Sequence, residues 1–385
     1  MFSKGRTFKN MIYELVKEKD EFKQIAPLLV DYKNHPILNG IAHGYNKGHI
    51  YVDNPNNPRC ALVWAEQEIF YLLGDPTNNF VSSLPTFIKE VIAPEAEQIG
   101  DDFFQVELLP ESKWKQVVEE QLQMFIPKPY TRVTFTFDPE SYNKLSKPNI
   151  PEEVTVERIT IDMLSDKKFA MVRDDIVDFW ESTQDFIQNG FGYVVMVHEQ
   201  VVTSCLSVFA TDTDVEIGIN TYDLFQRGKG YAWLAARAFL DDCLKQGRTP
   251  HWKTEDFRIP SIKLAGKVGF TNLQTYTAYV FPYNELDNFV FTAYHQLRYY
   301  SNFNKASEFV QKARTIGDLN AWHHFLLSCG YSLIDRIDLS LKHMNLALDL
   351  GWNDVSDIRY VVDLVNLRKT EEGRALLDRV EDSLR

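Results

Sequence analysis

Between Val215 and Ala232 the chain reads VEIGINTYDLFQRGKGYA, and few folds accommodate what those residues dictate locally. Val215, Ile217 and Ile219 alternate with smaller or polar residues, the period of a half-buried strand, while the run from Tyr231 is rich in Ala, Leu and Trp and starts a helix. The turn between them, Arg227-Gly228-Lys229-Gly230, holds two glycines that bend the backbone without Cβ clashes, so successive N–H groups can point into one concavity. The helix adds its unpaired N–H groups and positive dipole end, and Arg227 and Lys229 add full charges. A pyrophosphate would fit such a turn. A P-loop requires G-x-x-x-x-G-K-[ST] and a dinucleotide fingerprint requires G-x-G-x-x-G, and neither is present. A basic glycine turn between strand and helix is also often no more than a connection.

The rest of the chain sets the bounds. At 385 residues there is room for two or three domains, since a single core rarely grows beyond roughly 250 to 300 residues. No apolar run approaches the roughly 20 residues of a membrane span, and MFSKGRTFKNMIYELVKEKD lacks the apolar core of a signal peptide, so a cytoplasmic protein without a membrane partner is expected. Cys60, Cys205, Cys243 and Cys329 are scattered singly, without zinc or disulfide spacing, and read as reduced core residues. The formal charge of −13 argues against nucleic acid as a partner. It suits a cationic amine ligand, and it equally suits a surface kept soluble by acids.

Element order points to a duplication. Residues 1 to about 45 read as mainly helical, with Phe22, Ile25, Leu28 and Leu29 on one face; three antiparallel strands follow (His49–Asp53, Cys60–Ala65, Ile69–Gly74), then helix, strand, helix and strand to Phe137. After a linker at Lys144–Pro151 the same order returns, ending in a strand at Thr275–Phe281. The expected organisation is a first α/β domain at 1–143, the linker at 144–151, a second at 152–284 and a helical region at 285–385. The first half's corresponding turn, Leu73-Gly74-Asp75-Pro76-Thr77-Asn78, carries an acid and a proline, so only the second half should bind an anionic ligand. In the last region Ala313 and Gly317 match Ala347 and Gly351 at an offset of 34 residues, the period of tetratricopeptide hairpins that usually make protein contacts; an unrelated helical cap is the other reading.

Arg227-x-x-Gly230-x-Ala232 resembles motif A of the GNAT superfamily of N-acetyltransferases, and Ser261–Phe270 (SIKLAGKVGF) resembles the motif B helix that ends in Gly-Phe. Met1 to about Phe281 looks like the GNAT group that includes the zwittermicin A resistance acetyltransferase. The resemblance implies an α+β fold of two GNAT-like halves, the first degenerate, followed by the helical region. It implies acetyl-CoA as cosubstrate: the backbone at Ile219 to Thr221 pairs with the pantetheine arm, Gln226, Arg227, Gly228, Lys229, Gly230, Tyr231 and Ala232 take the pyrophosphate, and Ser261 lies near the cofactor. Two positions depart from the family pattern. Arg258 stands where many members have Asn, and Ala265 stands where many have the tyrosine that protonates the departing thiolate, leaving Tyr276, Tyr279 or water as substitutes.

A thioester is reactive enough for a neutral amine to attack it directly, so the protein must place the reactants, remove a proton from the ammonium and stabilise the oxyanion. Glu216 is the candidate base. In the strand it shares a side with Gly218 and Asn220, and the missing Gly218 side chain would leave room for a ligand; an exposed or salt-bridged strand residue is the plainer reading. A backbone N–H near Ile219 would hold the oxyanion. Ser204, Cys205 and Ser207 either line the acceptor site or pack in the core, and Cys205 with His251 would make a Cys-His pair. Trp180, Glu181, Thr183 and Asp185 are candidates for the acceptor wall. His43, His49, His198, His295, His323, His324 and His343 show no ligand spacing with partner acids, so no metal is expected. The reading is an acetyl-CoA-dependent N-acetyltransferase acting on a small-molecule amine, with a protein amine as a further possibility. The alternative is a non-catalytic acyl-CoA-binding or helical-repeat interaction protein whose tail holds a protein partner.

Overall fold

The computed structural model describes residues 7–9, 11–15, 20–146, 148–353 and 361–383. Parts of the expected N-terminal helical stretch, Lys147 of the expected linker and 354–360 of the helical region therefore lie outside the described residues. Two compact units are present: Met1–Phe87, Gln105–Gln121 and Pro129–Ala278 form one, and Ile88–Phe104, Leu122–Lys128 and Tyr279–Arg385 form the other.

Among the described residues, thirteen strands make one sheet. They are β1 (Thr7–Phe8), β2 (Ile12–Glu14), β3 (His49–Val52), β4 (Cys60–Ala65), β5 (Ile69–Gly74), β6 (Phe103–Leu109), β7 (Lys128–Phe137), β8 (Val154–Arg158), β9 (Gly192–Val197), β10 (Gln200–Ala210), β11 (Asp214–Thr221), β12 (Thr249–Glu255) and β13 (Phe270–Pro282). Their order is β1-β2-β3-β4-β5-β6-β13-β7-β12-β11-β10-β9-β8. β4 and β10 are buried along nearly their whole length, as strands covered on both faces must be; β4 is apolar throughout, whereas β10 also buries Thr203, Ser204 and Ser207.

The order is symmetric about the β13–β7 pair. Outward from it lie β6, β5, β4, β3 on one side and β12, β11, β10, β9 on the other, with parallel pairing at β5–β6 and β11–β12 and antiparallel pairing at β3–β4–β5 and β9–β10–β11. Each half's last strand lies against the other half, so one sheet runs through both.

The N-terminus departs from expectation. The described part holds the short strands β1 and β2, and Glu21–Leu28 is a 3-10 turn, not an α-helix, because Pro27 has no amide hydrogen to continue an α ladder. Phe22 and Ile25 are nonetheless buried. Among the described residues of this stretch the one α-helix, Pro36–Ala42, is capped by His35, whose Nδ1 accepts from Leu38 N, and it packs on β4, β10 and β11. The helix Tyr231–Gln246 packs on β9, β10, β11 and β12.

In the second unit, helices Glu285–Tyr300, Phe303–Ile316, Ala321–Leu333 and Ile337–Asp349 enclose a core that includes Val290, Leu297, Val310, Leu327 and Tyr331. Gly330 lets the third helix approach the first, since a Cβ there would lie 2.6 Å from Leu297 Cδ1. Ala313 and Ala347, 34 residues apart, are both fully buried. Gly317 and Gly351 are not equivalent, for Gly317 is extended and Gly351 has φ +93°.

Candidate active site

The parallel ladder between β11 and β12 holds three residue pairs, Asp214–Thr249, Val215–Pro250 and Glu216–His251. Beyond it β11 runs on through Ile217 to Thr221 paired only to β10, while β12 runs on paired to β7. The two central strands fork there, and the inner edge of β11 keeps backbone groups available to an extended ligand. Ile219 and Thr221 lie on this edge, half-buried. The first half has no such fork, because β5 pairs with β6 from Phe70 to Leu73 and then ends at Gly74.

The loop after β11 holds the two glycines of the expected anion turn. Gly228 and Gly230 have φ of +79° and +90°, a region that L side chains enter at a cost, and a Cβ on either would meet nothing within 4 Å. Backbone direction, not space, requires glycine at these two positions. Gly230 caps Tyr231–Gln246 with no side-chain bond, and the first helical bond runs from Leu234 N to Gly230 O, so the amides of Tyr231, Ala232 and Trp233 have no partner within the helix. Gln226 Oε1 takes Lys229 Nζ at 2.9 Å, and Arg227 is exposed. The first half's turn is closed on itself: a Cβ on Gly74 would lie 2.2 Å from Arg59 O, and Asp75 accepts from the Thr77 hydroxyl and amide and pairs with Arg59 at 2.5 Å. Its anion is built in.

Glu216 ends the ladder at the point of the fork. It is 5% exposed, and its Oε2 has no hydrogen-bond partner among the described residues. Burial raises its pKa, an effect that the charges of Lys253 and His251 only partly offset. Around it, long-range pairings assemble a charged cluster. Glu107 of β6 is buried; its Oε2 takes Lys253 Nζ at 3.3 Å, and its Oε1 accepts from the Tyr276 hydroxyl at 2.8 Å and lies 3.5 Å from Arg132 Nε. Arg132 also pairs with Glu68 at 3.1 Å, and Lys253 reaches His35 Nε2 at 2.9 Å. His251 Nε2 lies 2.7 Å from Asp214 Oδ1. Burial pushes Glu107 up, but Lys253 and Arg132 outweigh it and hold its carboxyl below the usual range; burial and Lys253 hold His35 well below the usual imidazole range.

Several expectations are corrected. The space at Gly218 is not left for a ligand: β10 bulges between Ser207 and Phe209, and Val208 Cγ1 would lie 2.4 Å from a Gly218 Cβ. Cys205 is fully buried in the core, where burial and the neighbouring Cys243 push its thiol up, while His251 is held by Asp214, so no Cys-His pair forms. Ser207 bridges the backbone of Phe191 through its N and O, both at 2.9 Å, and Trp180 is buried with Nε1 donating to Ser207 O; both are core. Thr183 and Asp185 open the helix Thr183–Asn189, where Ser182 caps Asp185 N, and Glu181 is exposed. Ser261 Oγ accepts from Trp252 Nε1 at 3.1 Å. His49 does meet acids, Glu14 and Glu66, each at 3.0 Å. Ala265 is fully buried, so nothing reaches the fork from that position; Tyr276 stands in the charged cluster and Tyr279 is buried in the other unit.

Ser204 faces a group that sequence reading missed. The Tyr222 hydroxyl lies 2.9 Å from Ser204 Oγ and 2.6 Å from Asp175 Oδ2, and Asn220 Nδ2 approaches the same carboxylate at 3.4 Å. Asp175 and Asp178, on the helix Ala170–Phe179, are both raised by burial and by neighbouring acids. The cluster around Glu107 was partly signalled by β12, where His251, Lys253 and Glu255 alternate with Trp252 and Thr254 in a strand at the middle of the sheet.

Residues 26–279, well over half of the chain, match the model of the GNAT acetyltransferase family. The chain is 25% identical over 271 residues to YdfB of Bacillus subtilis (strain 168), named as an uncharacterised N-acetyltransferase, a match that covers 70% of this chain and 98% of that protein. Among solved structures it is similar to a GCN5-related N-acetyltransferase-like protein from Streptococcus suis 89/1591, at 22% identity, covering 68% of this chain and 99% of that one with a TM-score of 0.49. It is also similar to a tandem GNAT protein from the clavulanic acid biosynthesis pathway, solved without acetyl-CoA, at 11% identity, covering 71% and 99% of the two chains with a TM-score of 0.47. The forked strands, the glycine turn at a helix start and the match over 26–279 lead to one conclusion: the chain belongs to the GNAT acetyltransferase family.

Proposed function

We propose that this protein moves an acetyl group from acetyl-CoA to a primary amine of a small molecule, with aminopolyols of the zwittermicin A kind the first acceptors to try. The observation that carries the reading is the three-pair ladder between β11 and β12, which leaves Ile217–Thr221 with an open inner edge leading to the positive-φ glycines. In this reading the edge pairs with the pantetheine arm and Gln226 to Ala232 take the pyrophosphate. Glu216 removes the proton from the ammonium; burial raises its pKa, the direction that makes a carboxylate a stronger base. The acceptor cation is held by Asp175 and Asp178. The four-helix region offers a surface to a protein partner, and the protein acts in the cytoplasm; no helix among the described residues is long and apolar enough to cross a membrane.

Calorimetric titration of acetyl-CoA into the wild type, Arg227→Ala and Glu216→Gln tests the reading. Weaker binding in the first variant and unchanged binding in the second are expected, followed by CoA release with an acceptor in the wild type alone. Failure to bind any acyl-CoA would overturn it. Buried Ala265 in place of a tyrosine favours the second reading, a non-catalytic acyl-CoA-binding protein, and binding without CoA release across a broad amine panel would establish that reading instead.

A further inference from the structure

β8 is the outermost strand on the side of the second half. β9 pairs with one of its edges from Val154 to Arg158, and among the described residues no strand pairs with the other. His198 N donates to Glu153 O and Ile159 N to Gly192 O, so the odd-numbered residues turn their backbone groups to β9, while Val156 and Arg158 turn theirs to the open edge. Side chains alternate as well. Val154 is buried and Arg158 pairs with Asp242 of the helix Tyr231–Gln246 at 2.9 Å, whereas Glu153, Thr155 and Glu157 line a concavity of about 600 Å³ on the opposite face. Glu152, Asp162, Asp166 and Glu199 add to its negative charge, against the single ammonium of Lys168, and Met163, Phe169 and Met196 supply its apolar lining.

We propose that β8 takes up an extended segment of a partner protein, one that carries lysine or arginine at every second position, as a further strand of the sheet. The open edge supplies the backbone hydrogen bonds, and the two-residue period of the added strand sends alternate side chains into the concavity beside Glu153, Thr155 and Glu157. Long basic side chains suit it in both respects. Their methylene stems pack on Met163, Phe169 and Met196 while their charged heads meet the carboxylates. A second copy of this chain is the wrong occupant, because its own β8 would bring Glu153 and Glu157 against the same acids, and like charges on paired strands repel. An edge without such charges invites self-pairing; here the acids oppose it and leave the edge selective for a cationic strand. The surface lies three strands from β11, and the inference does not depend on the transfer proposed at the fork.

The test is fluorescence polarisation of a fluorescein-labelled heptapeptide of alternating lysine and valine, titrated with the full-length protein at about 0.15 M salt. Saturable binding is expected. It should weaken roughly 10-fold or more when the peptide amides that would face β8 are N-methylated, because the donors to the Val156 and Arg158 carbonyls are gone. Glu153→Lys/Glu157→Lys should weaken it by a similar factor, and glutamates in place of the peptide's lysines should abolish it. Val156→Pro removes an outward N–H at an edge position that tolerates proline, and should weaken the peptide while Tm stays within a few degrees of wild type. No saturable binding, or equal binding of the N-methylated peptide, overturns the proposal, and neither result depends on a variant that folds. Binding unchanged in Glu153→Lys/Glu157→Lys places the peptide elsewhere and overturns it as well. Sedimentation of the protein alone checks the other occupant: a wild-type dimer that Val156→Pro dissociates would give the edge to a second copy and sink the proposal, whereas a monomer supports it.

Discussion

Two glycines in corresponding turns, Gly230 and Gly74, should respond in opposite ways to alanine. Gly230 has φ +90° and open space around it, so Gly230→Ala costs only the left-handed conformation, about 1 to 2 kcal/mol. For a chain of this size that is a fall in Tm of a few degrees. The variant can relieve the strain by turning the backbone to negative φ, which swings the loop amides away from a phosphate. Each amide bond to a charged oxygen contributes roughly 1.5 to 3 kcal/mol, so losing one or two weakens acetyl-CoA by about 10-fold or more. Gly74→Ala combines φ +94° with a Cβ 2.2 Å from Arg59 O, and the cost of strain plus overpacking is roughly 2 to 5 kcal/mol. It should destabilise strongly and leave acetyl-CoA affinity unchanged. Calorimetry and urea unfolding on both variants give four numbers. Gly230→Ala binding within twofold of wild type, or equal losses of affinity in both variants, would refute the assignment of the cofactor to the second half.

Further outcomes follow from the charged groups. Glu216 is raised by burial, so its folded form holds a proton more tightly than its unfolded form and stability falls as pH rises from the ordinary carboxylate range through the folded value; Glu216→Gln should therefore gain about 1 to 3 kcal/mol at pH 8 in urea unfolding while abolishing transfer. Glu107 is lowered, so its contribution is present above about pH 4.5 and is lost as pH falls below it. Glu107→Gln leaves Arg132 and Lys253 without their shared buried anion, costing roughly 3 to 5 kcal/mol at pH 7, and the gap to wild type should narrow in acid. Desolvation pushes His49 down, but the hydrogen bonds its protonated ring donates to Glu14 and Glu66 raise it to about 9. The wild-type advantage over His49→Gln, about 1 to 2 kcal/mol for a partly exposed group, should be full below pH 6.5 and vanish above about 9 in pH-dependent melts.

What sequence alone determined is local. Strand, turn and helix across Val215–Ala232 were legible because alternation, paired glycines and helical composition act between near neighbours, and the acid and proline after Gly74 set that turn apart from the basic glycine turn of the second half. The duplication was legible as element order. Tertiary structure decided the rest. Nothing near Glu216 in the chain announces that the ladder stops there, because a fork is a relation between β11 and β12. The room at Gly218 was misread because the residue that fills it, Val208, comes from a bulge in β10. The pairing of Glu107, Arg132, Lys253 and Tyr276 joins strands far apart in sequence, and only the lateral order of the sheet brings their charges together. Local conformation depends on neighbours along the chain, whereas burial, charge compensation and pKa depend on neighbours across it.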